Sequence, residues 1–264
     1  MIRGAVLPGK QPVKRFSISV LCVAAIIGAM PGAMAAAAGG WRNLTPQEEQ
    51  FVQLVEKRVY AALRGAAQRM GSKWKIDILK TNEHQRHAVD DAAHRGRPHE
   101  VRVEFHMEFV PASDAELGEL DRQIDLFDQK VSRMDPVPDT VMRTNPAFKR
   151  ELYAEVIVNY GGFMPMSLKA AASLGETTNV PGTAYSYLRW KQMGTGAPKR
   201  ILYLGEFRRG PSSGEERLLE AFTNTPDCRD VRTIIVEVSS NEAVSDQFVK
   251  ALDLKDLSAL VASH

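Results

Sequence analysis

The sequence predicts an α+β domain, a mostly antiparallel sheet with amphipathic helices packed on one face. Three observations carry this expectation. The stretch EVRVEFHMEFV, residues 100–110, alternates apolar and polar side chains with period two. Two long segments, 44–71 and 113–131, repeat apolar residues every three or four positions behind a capping residue. Beyond residue 150 four strand-like stretches precede a last amphipathic segment.

Residues 1–35 read as an export signal and stand outside the fold. Arg3, Lys10, Lys14 and Arg15 form a basic leader, FSISVLCVAAIIGAM is an uncharged apolar run, and Ala33-Met34-Ala35 follows a Pro-Gly break with small residues where a signal peptidase needs them. The competing reading is an uncleaved anchor, because Phe16 to Ala38 is long enough for a bilayer core of about 30 Å. Its Ala/Gly-rich second half matches lipid poorly. Cleavage after Ala35 leaves an Ala/Gly linker, 36–40, and a single α+β domain over 41–264. The expected location is periplasmic or secreted, without stable membrane insertion.

Cleavage removes four basic and no acidic residues, so the 34 basic side chains fall to 30 against an unchanged 32 acidic ones. A near-neutral mature chain gives no electrostatic footprint for nucleic acid. Cys22 leaves with the signal and Cys228 alone remains, so no internal disulfide forms. Stability must come from an apolar core.

The first helix is announced by Thr45 as N-cap, Pro46 in the first turn, Glu48 for a capping box and Gly71 as stop. Phe51, Val55, Val59, Leu63 and Met70 give it one apolar face. KWKIDILK alternates as a half-buried strand. In the strand over 101–109, Val101, Val103, Phe105, Met107 and Phe109 line one side, and Arg102, Glu104, His106 and Glu108 line the other, where His106 is expected to meet solvent. Ser113 and Glu116 then cap a helix with the seam Leu117, Leu120, Ile124, Phe127 and Val131. Its Asp121, Asp125 and Asp128 read as a solvated face. Residues 135–146, with three prolines and no periodicity, read as a linker or long crossover. LYAEVIVNY, AYSYLRWKQM, RILYLGEF and RTIIVEV read as strands. The segment 161–182 reads as a binding loop or as a connection holding a short core helix over MSLKAAASL. Val244, Phe248, Leu252, Leu257 and Leu260 predict one terminal amphipathic helix. This strand-helix unit resembles the one that begins at Val101, which two ordinary units would also do.

Dinucleotide, Walker, HExxH, CxxC and EF-hand patterns are all missing, which removes the commonest cofactor signatures. Gly210-Pro211-Ser212-Ser213-Gly214 fits a hydrolase elbow with Ser212 as nucleophile. The only histidine after it is His264 at the chain end, a poor place to hold a base, and Ser213 with Glu216 makes a capping box instead. Lys199, Arg200, Arg208 and Arg209 form either an anion-binding rim or a surface neutralised by Glu206, Glu215 and Glu216.

HQRHAVDDAAHRGRPH, residues 84–99, holds four of the six histidines. If 84–94 were helical, His84, His87, His94 and Asp90 or Asp91 would share a face, a donor set suited to zinc, copper or nickel. Arg86, Arg95 and Arg97 oppose a cation there, and the alternative is a hydrated polar connection. No catalytic residue set emerges. The functional expectation is an exported binding or interaction module for a small ligand or a protein partner, with a periplasmic transition-metal-binding protein as the alternative and a serine hydrolase a distant third.

Overall fold

A computed structural model of the chain describes residues 40–81, 87–90, 99–160, 176–189, 196–209, 219–221 and 229–261. All of them belong to one compact unit, Ala37–His264. Strand β1 (Gly40–Asn43) leads into helix α1 (Pro46–Met70), strand β2 (Trp74–Thr81), strand β3 (His87–Asp90) and strand β4 (Val101–Phe109). Helix α2 (Asp114–Val131), the one-turn helix α3 (Asp139–Met142) and a 3-10 turn (Pro146–Lys149) precede strand β5 (Glu151–Val158). Strands β6 (Glu176–Thr178), β7 (Tyr185–Arg189), β8 (Lys199–Gly205), β9 (Phe207–Arg209), β10 (Leu219–Ala221) and β11 (Thr233–Ser239) follow, and helices α4 (Glu242–Ala251) and α5 (Leu254–Ser258) end the fold.

Seven strands form one sheet in the order β2-β4-β5-β11-β8-β7-β6, every pair antiparallel. This is the α+β class read from the sequence. Two-stranded ribbons, β1 with β3 and β9 with β10, complete the pairing.

Helices α1, α4 and α5 cover one face of the sheet. The alternation of the strands supplies what they bury: Val101, Val103, Phe105 and Met107 from β4, Leu152, Ala154, Val156 and Val158 from β5, and Ile234, Val236 and Val238 from β11. From α1 come Val52, Val55, Val59 and Leu63, four residues at helical spacing and all buried. Phe105 stacks on Phe248 of α4, with ring centroids 5.7 Å apart. Burial of this apolar surface, at roughly 25 cal/mol per Å², is the main force that holds helices to sheet.

The caps explain where the helices begin. Thr45 accepts from the Glu48 amide while the Glu48 carboxylate accepts from the Thr45 amide, a reciprocal capping box on α1. Ser113 caps α2 through the Glu116 amide, but the Glu116 carboxylate turns to the Ala112 amide and to Lys73. Helix α2 buries only Leu120 fully, and its ion pair from Asp121 to Arg150 ties it to the start of β5. Residues 135–146 contain α3 and the start of the 3-10 turn, and Asn241 holds this crossover by donating to the carbonyl of Asn145.

One terminal helix was expected, and two are found. Leu252 is extended, and Asp253 accepts from the Asp256 amide to start α5 afresh. The break lets Leu252, Leu254 and Leu257 all reach the core, which a continuous helix could not do with residues two apart. Among the described residues no helix is long and apolar enough to cross a membrane.

The opposite face of the sheet changes character across its width. Towards β8 and β7 it is apolar and aromatic, with Ile157, Tyr187, Ile201, Tyr203, Phe207 and Ile235 buried together. Towards β2 and β4 it carries charged and titratable side chains. That polar half holds the candidate site.

Candidate metal centre

Side chains two apart on a strand share a face, so His106 and Glu108 of β4 both stand on the face away from the helices. Strand β2 supplies the third residue at an irregularity in its pairing. Ile76 pairs with Met107 and Ile78 pairs with His106, which leaves Asp77 as one extra residue between them, a β-bulge. Ile76 and Leu79 both pack against the helix-covered core, so Asp77 and Ile78, the two residues between them, take the other side. Without the bulge, strict alternation could not serve both core residues.

One potential donor atom from each of Asp77, His106 and Glu108 lies within 4.8 Å of the others. The Nδ1 of His106 is 3.0 Å from the Oδ2 of Asp77. His106 is buried, at 6 % relative exposure, whereas both carboxylates are exposed. The expectation that His106 meets solvent is therefore corrected. The cause is Tyr153, its cross-strand partner on β5, whose ring stacks on the imidazole at 4.1 Å and 14°.

Tyr153 also orders the outer edge of the cluster. Its hydroxyl donates to the Oε2 of Glu151 at 3.0 Å. Burial, this hydrogen bond and the charges of Glu151, Asp77 and Glu108 push the phenol up to about 12, so it stays a neutral donor. The Nε2 of His106 is buried and has no hydrogen-bond partner. A buried polar atom left unpaired costs about 1–3 kcal/mol; the nitrogen that faces Asp77 is the other one, Nδ1.

Four-coordinate zinc with bonds of roughly 2.0–2.2 Å sets its donors about 3.4 Å apart. The Asp77–His106 pair already has nearly that spacing, and the exposed Glu108 carboxylate is free to close the remainder by side-chain rotation. One imidazole and two carboxylates suit a borderline divalent ion such as zinc, nickel or copper.

Of the histidine-rich run only residues 87–90 and 99 are described. His87 and Asp90 lie in strand β3, paired antiparallel with β1, so the helical spacing behind that ligand set is absent over 87–90. His84, Asp91 and His94 lie outside the described residues. His99, at the end of the run, puts its Nε2 3.0 Å from the Oε1 of Glu48 in the first turn of α1.

Ser212, Ser213, Cys228 and residues 161–175 also lie outside the described residues. Of the basic rim, Lys199 pairs with Glu237 at 2.6 Å, and Arg200 pairs with Asp246. Both charges are matched, but not by the expected Glu206, which pairs with Arg232, and Glu215 and Glu216 lie outside the described residues. Arg200 also lines a cleft of about 430 Å³ with Val180, Pro181, Val249 and Lys250, and Asp246 stands in that cleft as well.

Compared with protein-family models, curated proteins and solved structures, the chain shows no significant match to any of them.

Proposed function

We propose that the chain is an exported binding module that holds a divalent transition metal between Asp77, His106 and Glu108. The observation that carries this reading is the convergence of two exposed carboxylates on a nine-tenths buried imidazole. The stacked Tyr153 ring supports it by restricting the imidazole to one orientation, which lowers the entropy that a metal must overcome on binding. Export is supported by the basic leader and apolar run of residues 1–35, and N-terminal sequencing of fractionated protein tests it.

Calorimetric titration of the metal-free protein with zinc, copper and nickel tests the site. One equivalent is expected to bind to the wild type, and His106→Ala and Asp77→Asn are each expected to weaken binding at least tenfold. Circular dichroism confirms that these variants remain folded. A triple alanine variant at His84, His87 and His94 is expected to bind as the wild type does. The reverse pattern, loss in the triple variant and retention in His106→Ala, assigns the metal to the histidine-rich run instead. Equally weak heats in all variants and the wild type reject metal binding at both places.

A further inference from the structure

We propose that this centre is coordinatively open and takes a bidentate oxygen chelator with an apolar body, of the hydroxamate class, as the outer ligand of its metal. The inference rests on the metal reading above. It starts from the number of protein donors, which is three among the described residues. Metal sites with three protein ligands leave positions for water or for an incoming ligand, whereas structural sites are closed by a fourth.

The open positions face outward. His106 reaches the centre from the buried side, and the Asp77 carboxylate is half exposed at 50 %. Glu108 is exposed too. Tyr153 does not fill the gap, because its hydroxyl is committed to Glu151 as a donor and its ring lies flat on the imidazole. An incoming ligand thus meets the metal without displacing a side chain of the described residues.

The surroundings select the ligand's body. Ile78, His106 and Tyr153 are consecutive members of one cross-strand row. Ile78 and Tyr153 are two of the six large apolar side chains that are exposed among the described residues, at 37 % and 39 %. They stand on either side of the imidazole. A polar, metal-binding centre framed by exposed apolar side chains is the usual composition of a small-molecule site, where a few polar groups orient the ligand and apolar ones hold it. Charge narrows the head group. Two carboxylates already balance a divalent ion, and Glu151 adds a third negative charge nearby, so a dianionic chelator is repelled where a monoanionic hydroxamate is tolerated.

Visible absorption of the cobalt(II)-loaded full chain tests the inference, because cobalt's bands report its coordination. The wild type is expected to show these bands, and acetohydroxamate and benzohydroxamate are each expected to shift them saturably. Benzohydroxamate is expected to bind about tenfold more tightly, the value of burying one ring. Ile78→Ser is expected to bring the two affinities closer together. Bands that neither hydroxamate shifts show a closed site and overturn the inference while leaving the metal reading intact. Removal of cobalt by the chelators, seen as the spectrum of the free complex, overturns it as well. Equal affinity for the two hydroxamates in the wild type overturns the apolar frame. If no protein-bound cobalt bands form at all, the metal reading fails and this inference with it.

Discussion

Asn159 shows how much one side chain can organise. It is buried at 1 % exposure, with φ of 57°, a left-handed conformation that asparagine tolerates better than most residues. Its amide nitrogen donates to the carbonyls of His99 and Asp230, and its amide oxygen accepts from the backbone amides of Arg232 and Thr233. One residue therefore joins the entrance of β4, the exit of β5 and the entrance of β11. Asn159→Ala strands those backbone groups, and a loss of about 2–4 kcal/mol is expected in urea unfolding. Gly205 is constrained by space as well as by its φ of 90°, since a Cβ built there lies 2.2 Å from the carbonyl oxygen of Arg232. That oxygen accepts from Glu206, so neither side can retreat without breaking the turn. Gly205→Ala is expected to lower stability by at least about 2 kcal/mol, read as a fall in the denaturant midpoint.

At the level of the element, the caps were legible in the sequence because they depend on residues three apart. Thr45 and Glu48 could be paired by eye, and so could Ser113 with the Glu116 amide. Thr45→Ala is expected to cost about 1 kcal/mol. Glu48→Ala is expected to cost more, because this buried carboxylate also meets His99, a partner no local pattern announces. Thermal melts of the two variants decide the order. The alternation of β4 was legible too, and it placed His106 and Glu108 on one face. The third member of the centre was not, since what stands opposite His106 depends on the register of β2 against β4, and a single strand's sequence has no record of its partner's register. Residues 87–90 of the histidine-rich run are a local case of the same kind. Their spacing fits a helix locally, yet pairing with β1 draws them into a strand. The break between α4 and α5 likewise answers to the core and not to local propensity.

On the scale of the molecule, the sheet face opposite the helices couples stability to pH in one way, and α2 with the edge strand β6 couples it in the opposite way. Burial raises the Glu155 carboxyl above its ordinary 4.5, although Arg102 opposes the shift. In the window just above 4.5 the native chain thus keeps a proton that the unfolded chain has lost, and stability falls as pH rises through it. Glu116, Glu119 and Glu176 are held low by hydrogen bonds from Lys73, Arg122 and Arg143 respectively, Glu119 at about 2. Their contribution is present above 4.5 and is lost as pH falls from there towards their folded values. Glu119 and Glu176 are exposed and Glu116 is partly so, and salt screens them. Glu155→Gln is expected to raise the melting temperature at neutral pH relative to the wild type, with the difference shrinking as pH falls towards 4.5. A difference that stays constant with pH rejects burial of this carboxylate as the cause.

The bulge at Asp77 lies on β2, an outermost strand of the seven-stranded sheet. An edge strand offers unpaired backbone groups to any extended chain, and a long, flat one invites aggregation. Here one extra residue bends that edge, and Lys75, Asp77 and Lys80 put charges along it. The strand at the far side, β6, is only three residues long. Deleting Ile78 is expected to remove the bulge and remake β2 as a template for strand addition, so the extra residue beside the candidate centre is expected also to hinder neighbouring molecules from pairing with the sheet.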